Sequence, residues 1–148
     1  MLTSKRTSFC VVCIANYCRS PVLEQLLKHK YNSEYEFYSA GISPISSASM
    51  DPRSLKFLKD IGLKPEIHMP KKISKKMLNY FDYFLAIDFF VLNELNNRYP
   101  KYKNKFLLST AQFENLDIID PFKFDADEYM NIMEKIKFLS DKINLKHY

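Results

Sequence analysis

Four short runs of residues that contain few charges are predicted to be β-strands. The first, SFCVVCI, is apolar and rich in β-branched residues, the pattern of a strand that is buried on both faces. The other three are bounded by polar or turn-forming residues and are too short to be helices. The four predicted strands cover residues 8–14, 36–40, 83–87 and 105–108.

Apolar residues at helical spacing lie between and after these runs. Pro21 stands where a first-turn proline belongs, Asp51 and Pro52 have the pattern of a cap and a first turn, and Asp88 can cap a third helix. The last helix is predicted over residues 126–143. The apolar faces are expected to contain Val22, Leu23, Leu26, Leu27, Leu55, Leu58, Ile61, Leu92, Leu95, Met130, Met133, Ile136, Leu139 and Ile143.

Strands that alternate with helices indicate βαβ units. We therefore expect a single α/β domain over residues 1–148, with a central parallel sheet of about four strands and helices on both faces. Gly41 and Gly62 are the only glycines, and each is expected to mark a turn. Ligands of such sheets bind beyond the carboxyl ends of the strands, so the residues that follow the first strand are the first candidates for a site.

Composition narrows the class of protein. Of the 148 residues, 47% are hydrophobic and 26% are charged, which excludes a disordered or collagen-like chain. No apolar run approaches the roughly 18 residues of a membrane span, and we expect no signal peptide and no membrane association. The net charge of +5 comes from the first half of the chain and suits an anionic ligand. Because the lysines are scattered, we expect no nucleic-acid partner.

All three cysteines, Cys10, Cys13 and Cys18, lie in one short segment. An odd and crowded set is a poor disulfide framework, so we expect a reducing cytoplasm. Cys10 and Cys13 form a Cys-x-x-Cys pair, but residues three apart on a strand point to opposite faces, which argues against a redox or zinc pair. Cys10 is expected in the core. The three histidines show no ligand spacing, so no metal is expected.

The segment from Cys13 to Pro21 joins the first strand to the first helix. Its backbone N–H groups can converge on an anion, and the helix N-terminus adds free donors and the positive end of its dipole. Positive potential favours the thiolate form of a cysteine, which is the nucleophile. Arg19 can clamp two phosphate oxygens and Ser20 can donate to the sulfur of Cys13. The segment therefore predicts a site for a phosphate dianion with a sulfur behind the phosphorus.

With this loop, the chain resembles the low-molecular-weight protein tyrosine phosphatases, whose loop has the form Cys-x5-Arg-Ser. Further segments match in the same order: Ser39-Ala40-Gly41, Asp51-Pro52-Arg53, His68, Phe81-Asp82-Tyr83 and Asp120-Pro121. Two loop positions depart from the family pattern. Ala15 stands where the family usually has Gly, and would be strained if the position needed a positive φ; Tyr17 stands where a small aliphatic residue is common.

The resemblance implies a protein-tyrosine phosphatase that hydrolyses phosphotyrosine monoesters. Cys13 would be the nucleophile and form phosphocysteine, Arg19 the phosphate clamp, and Asp120 the general acid and then base. Ser39 and His68 would support the loop. The implied substrate-binding residues are Ile14, Ala15, Asn16, Tyr17, Cys18, Ser20 and Phe122, with Ile45 as a further candidate for the wall.

The resemblance also implies the setting of the reaction. We expect a cytoplasmic monomer that acts on phosphotyrosine-bearing proteins and needs no metal or other cofactor. Cys18 is either a core residue or a redox partner that captures oxidised Cys13 as a disulfide.

Several alternatives stay open. Arsenate reductases share the fold but use later cysteines, and none follows Cys18. Protein arginine phosphatases have a similar loop with Thr at the position of Tyr17. A non-catalytic phosphate-binding module would need no nucleophile. Asp117 and Asp125 are rival general acids. The lysine pairs at 71–72 and 75–76 are expected to form a solvated face.

Overall fold

The computed structural model describes residues 5–45 and 49–148. Its sheet has four parallel strands in the order β2-β1-β3-β4, which confirms the predicted α/β class. All residues of β1 are buried, so both faces of the sheet are covered there. The strands are β1 (Ser8–Cys13), β2 (Glu36–Gly41), β3 (Tyr83–Ala86) and β4 (Phe106–Leu108).

Five helices accompany the sheet in residues 5–45 and 49–148. The chain moves from β1 outward to β2 and then back across to β3 and β4, so right-handed connections place α1 and α4 on opposite faces. In the part of the chain described, no helix is long and apolar enough for a bilayer crossing. The helices are α1 (Ser20–Tyr31), α2 (Pro52–Asp60), α3 (Lys75–Tyr80), α4 (Phe89–Arg98) and α5 (Ala126–Lys142), with 3₁₀ turns at Pro100–Lys105 and Leu145–His147.

Sequence analysis missed α3, because it is short and buries only Leu78. Its start is fixed by Ser74, whose hydroxyl accepts from the N–H of Met77 at 3.2 Å. The lysine side chains at 71–72 and 75–76 are exposed, as expected. The backbone at 71–73 is nevertheless tied to the end of β2, where the N–H of Gly41 donates to the carbonyl of Lys71 at 2.8 Å.

The buried face of α5 differs by one position from the predicted face. Met130 is only half-buried, and Tyr129 and Ile132 are buried in the core together with Met133, Ile136 and Leu139. The predicted face included Met130 and left out Tyr129 and Ile132. The hydroxyl of Tyr129 has a buried partner, Ser54 Oγ at 2.5 Å, and this hydrogen bond satisfies it inside the protein.

The two glycines have different roles. Gly62 follows the end of α2 with φ +90°, which confirms the predicted turn. The turn predicted at Gly41 is wrong: this residue is the last of β2, paired in register with Cys13.

Candidate active site

The loop that follows β1 is held by the chain that follows β2. The N–H of Ile42 donates to the carbonyl of Cys13 at 3.1 Å, and the N–H of Ser43 donates to the carbonyl of Ile14 at 2.8 Å. Parallel strands end at the same edge of a sheet, so β2 can support the loop over its first two residues. This places Cys13 at the base of the loop, buried at 2% exposure.

A directed series of hydrogen bonds ends on the sulfur of Cys13. Asn16 Nδ2 donates to Ser39 Oγ and to Ser20 Oγ, both at 2.9 Å. Because Ser20 Oγ accepts that bond, its own proton is free to point to Cys13 Sγ, 2.9 Å away. The backbone N–H of Asn16 also donates to Cys13 Sγ, at 3.1 Å. Ser39 in turn donates to the buried carboxylate of Glu24.

His68 and Lys71 fix the other side of Asn16. Burial lowers the pKa of His68, so at neutral pH the ring is uncharged. Its Nε2 lies 2.7 Å from the carbonyl oxygen of Asn16, which can only accept, so Nε2 carries the proton. The N–H of Lys71 donates to Asn16 Oδ1 at 3.0 Å. Asn16 is therefore held on both sides, at a backbone φ of 53°.

That positive φ explains why Ala15 is tolerated. The left-handed position of the loop falls on Asn16, a residue type that adopts it at low cost, and not on Ala15. The loop still needs a glycine, but at the end of β2. A Cβ on Gly41 would lie 2.7 Å from the carbonyl oxygen of Ile14 and 2.9 Å from the backbone nitrogen of Asn16. Gly41 is required for this close approach between two backbones.

Replacing Gly41 with alanine is expected to displace the loop. Both neighbouring atoms belong to the backbone, so relief of the clash must move the residues that surround Cys13. We expect unfolding free energy to fall by about 1–3 kcal/mol and kcat/KM for an aryl phosphate to fall by about 10²-fold. Thermal unfolding and steady-state kinetics measure the two effects.

Gly62→Ala is the matched control for Gly41→Ala. A Cβ on Gly62 meets no atom within 4 Å, but its φ of +90° is unfavourable for alanine. This variant should lose about 1–2 kcal/mol of stability and keep its turnover. Equal loss of turnover in the two variants would contradict the proposed close contact.

Arg19 is held in place by hydrogen bonds to the protein itself. Its guanidinium is buried, and Nη1 donates to Asp88 Oδ2 at 2.6 Å and to the carbonyl of Ile118 at 2.7 Å. Within the described residues, Nε and Nη2 have no hydrogen-bond partner, so one edge of the fork remains for an anion. Asp88 also caps α4 by accepting from the N–H of Val91 at 2.9 Å, as its sequence position predicts. Asp88 compensates the buried charge of Arg19.

A small pocket of about 90 Å³ opens above Cys13. Tyr17 and Phe122 both line it and pack edge to face against each other, with ring centroids 6.1 Å apart. An aromatic wall beside a narrow opening suits a flat ring better than a bulky group. The residues that line the pocket are Cys13, Ala15, Tyr17, Cys18, Arg19, Ile45, Asp120 and Phe122.

Three residues expected to bind substrate do not line this pocket. Asn16 and Ser20 are fully buried and hold the loop from below. Ile14 is half-buried, packs against the core and offers its carbonyl to Ser43. Their side chains support the pocket instead of forming its wall.

The position of Asp120 distinguishes it from Asp117 and Asp125, the two other candidates for the general acid. It is exposed at the mouth of the pocket, and its Oδ1 accepts from the N–H of Phe122 at 3.1 Å. Asp125 is the N-cap of α5 and accepts from Glu128 at 2.9 Å. Asp117 lines a neighbouring groove but not this pocket. Only Asp120 among the three faces the opening above Cys13.

Comparison with known proteins identifies the family. Residues 8–145 match the low molecular weight phosphotyrosine protein phosphatases. The chain belongs to this family. It is 34% identical over 115 residues to the low molecular weight protein-tyrosine-phosphatase Ptp of Acinetobacter johnsonii, covering 78% of this chain and 80% of that protein. Family members are phosphoric monoester hydrolases, so this chain is an enzyme of that class.

Solved structures share the fold of this phosphatase. The low molecular weight protein tyrosine phosphatase of T. tengcongensis superposes with a TM-score of 0.83 at 26% identity, covering 92% of this chain and 96% of that one. The YwlE arginine phosphatase of Geobacillus stearothermophilus also gives a TM-score of 0.83, at 24% identity, covering 91% and 88%. At that lower identity the likeness concerns the fold alone.

Arg53 holds the loop of this phosphatase that contains Asp120, a contact that sequence analysis missed. Its guanidinium donates to the carbonyls of Phe122 and Phe124 at 3.0 and 3.1 Å and lies 3.9 Å over the ring of Tyr129. Asp51 holds the guanidinium in turn, with Oδ2 at 2.9 Å from Nη2. The Asp-Pro-Arg segment was recognised only as a helix start, because its partners lie about seventy residues away.

Cys18 and Cys10 are both buried in the phosphatase but differ in their surroundings. Burial raises the pKa of Cys18 to about 12, and the nearby Asp51 carboxylate acts in the same direction. The Cys18 thiol lies 3.7 Å from Asp51 Oδ2, and Cys18 lines the pocket with Cys13. Burial also raises the pKa of Cys10, which is fully enclosed in β1. Cys10 is a core residue, as expected.

Proposed function

We propose that this chain hydrolyses phosphotyrosine monoesters in proteins through a phosphocysteine on Cys13. The observation that carries the proposal is the position of Cys13 Sγ beneath a pocket with Arg19 and Asp120 at its edge. A nucleophile, an anion clamp and a proton donor therefore converge on one small volume. A phosphate-binding module would need only the clamp.

In the first step, the Cys13 thiolate attacks phosphorus in line with the leaving oxygen. Phosphoryl transfer needs little covalent help beyond positioning and charge stabilisation. Ser20 Oγ, 2.9 Å from the sulfur, stabilises the thiolate before attack and again when it leaves. The free edge of Arg19 binds the equatorial oxygens, whose geometry matches the planar fork. The nucleophile, the hydrogen-bond donor to the thiolate and the phosphate clamp are therefore all side chains of the protein.

Asp120 completes both half-reactions. As the P–O bond breaks, its carboxyl donates a proton to the leaving phenolate, and the resulting carboxylate then takes a proton from the water that attacks phosphocysteine. The N–H of Phe122 and the clamp on its carbonyl by Arg53 fix the loop in which Asp120 lies. Asp120 thus has a defined position although it is exposed.

The pocket walls favour an aromatic substrate over phosphoarginine. Tyr17 and Phe122 pack edge to face and together give the pocket an aromatic wall, against which a phenyl ring can pack. Turnover of phosphotyrosine, phosphoarginine and phosphoserine peptides of one sequence, with one enzyme batch, tests the proposal. We expect phosphotyrosine to have the highest kcat/KM by at least about tenfold. A higher value for phosphoarginine would contradict it.

We further propose that Cys18 protects Cys13 from irreversible oxidation. Peroxide converts the Cys13 thiolate to sulfenic acid, and the Cys18 thiol then displaces the sulfenic oxygen as water, leaving a disulfide. The high pKa of Cys18 keeps it protonated and slow to react with peroxide itself, so Cys13 is oxidised first. The proton of the Cys18 thiol leaves in that water, and Asp51, 3.7 Å from the Cys18 sulfur, can relay it to the departing oxygen.

Cys18→Ser should make peroxide damage largely irreversible. After mild peroxide and then a thiol reductant, we expect wild type to regain most of its own starting activity. The variant should regain less than about a tenth, because its sulfenic acid proceeds to the sulfinic form. Mass spectrometry of oxidised wild type should find a Cys13–Cys18 crosslink. A crosslink to Cys10, or equal recovery of both proteins, would rule out the protective role.

A further inference from the structure

A second depression lies directly beside the catalytic pocket. It is a groove of about 370 Å³ between the start of α4 and the segment that leads to Asp120. We call it the α4 groove. It is lined by Asp88, Phe89, Phe90, Thr110, Leu116, Asp117, Ile119 and Asp120.

The α4 groove adjoins the catalytic pocket. Asp120 lines both, and Asp88 lies in the groove while its carboxylate holds Arg19. A phosphotyrosine seated over Cys13 would therefore have its own backbone and neighbouring residues close to Asp120. The groove is within reach of the polypeptide on which the phosphotyrosine is carried.

The exposed surface of this groove is unusually apolar. Phe89 and Phe90 occupy the first turn of α4, where they are 67% and 58% exposed, and Ile119 opposite is 48% exposed. Nothing in the fold requires these positions to be aromatic, because the buried residues of α4 are Val91 and Leu95. Exposed aromatic side chains that adjoin one another are typical of binding surfaces.

The groove also has a charge opposite to that of the whole chain. The chain carries a net charge of +5, yet the charged residues of the groove are all acidic. Asp88 is neutralised by Arg19. Within the described residues, Asp117 and Asp120 have no salt-bridge partner. An apolar floor with a free carboxylate at its edge suits an apolar side chain that is followed by a lysine or arginine.

We propose that the α4 groove binds the residues that flank phosphotyrosine in a protein substrate. An apolar side chain lies on Phe89 and Phe90, and an adjacent lysine or arginine faces Asp117. This proposal rests on the phosphotyrosine activity proposed above. It adds a means of discrimination among phosphotyrosine sites that the small catalytic pocket cannot supply.

Three phosphotyrosine peptides of equal length test the proposal. One carries leucine and lysine on both sides of the phosphotyrosine, the second carries leucine and glutamate, and the third carries serine throughout. We expect kcat/KM to be about tenfold higher for the first than for the third, mainly through KM. The second should lie below the first, and the difference between them should shrink at high salt.

Variants locate the effect in the groove. In Phe89→Ser/Phe90→Ser, the ratio of kcat/KM for the leucine–lysine peptide to that for p-nitrophenyl phosphate should fall about tenfold. Asp117→Asn should reduce the preference for lysine over glutamate and keep the preference for leucine over serine. Phe138→Ser is the matched control, an aromatic residue 47% exposed on α5 and outside the groove, and should leave all ratios unchanged.

Three results would overturn the proposal. The first is equal kcat/KM for the three peptides in wild type. The second is an equal fall for peptides and p-nitrophenyl phosphate in the double variant, which would assign the phenylalanines to support of the catalytic pocket. The third is a dimer, detected by light scattering, that the double variant dissociates, which would assign the groove to a second copy of the chain. Failure of the proposed phosphotyrosine activity is distinct, because wild type would then hydrolyse a phosphoarginine peptide faster than all three phosphotyrosine peptides, or hydrolyse none of them.

Discussion

Cys13→Ser should abolish turnover while leaving the fold intact. The hydroxyl of serine is a much weaker nucleophile than a thiolate and stays protonated at neutral pH, so we expect kcat to fall on the order of 10⁴-fold or more. Ser20 Oγ and the N–H of Asn16 can hydrogen-bond an oxygen as they do the sulfur. The loop should therefore keep its shape and still bind inorganic phosphate, which isothermal titration calorimetry measures.

Cys10→Ser is the control for Cys13→Ser, because it should lose stability and keep its turnover. Cys10 lies on the same strand, fully buried and remote from the loop. A hydroxyl placed there should reduce unfolding free energy by about 1–3 kcal/mol but leave kcat close to that of wild type. Substantial turnover in Cys13→Ser, with Cys10→Ser inactive, would exclude Cys13 as the nucleophile.

Asp120→Asn should slow the enzyme according to the substrate's leaving group. Asparagine keeps an oxygen that can accept from the N–H of Phe122, so the loop is preserved and only the proton is lost. For phenyl phosphate, whose leaving phenolate needs a proton, we expect a fall of about 10²–10⁴-fold in kcat. For a dinitrophenyl phosphate the fall should be much smaller, because that anion leaves without protonation.

Asp125→Asn is the control for Asp120→Asn. Asp125 caps α5, and asparagine is an equally good cap, so stability and turnover should both be retained. Comparing kcat of the two variants therefore distinguishes the effect of losing the general acid from the effect of losing a negative charge near the same loop. An equal loss on both classes of leaving group in Asp120→Asn would show that Asp120 has a structural role instead.

Local sequence signals were sufficient for the main elements of the phosphatase. The apolar run of β1, the proline at the start of α1 and the caps at Asp51 and Asp88 act within a few residues, and the structure has each of them. The weak helix α3 was missed because it buries too little to show a periodic pattern. The turn predicted at Gly41 was wrong. A glycine can be needed either for a positive φ in a turn or for a close contact between two backbones, and the sequence does not distinguish these two cases.

The sequence by itself placed Cys13, Arg19 and Ser20 in one strand-to-helix loop and supplied Asp120 as a candidate acid. Only the tertiary structure decided how these groups are held. Arg19 donates a hydrogen bond to Asp88, which is 69 residues away along the sequence, and Arg53 donates to the carbonyl of Phe124, which is 71 residues away. Such partners meet because parallel strands end at one edge of the sheet. The separation of two residues along the chain does not indicate that they are in contact. The α4 groove has the same origin, since its two sides come from segments that pack together only in the folded protein.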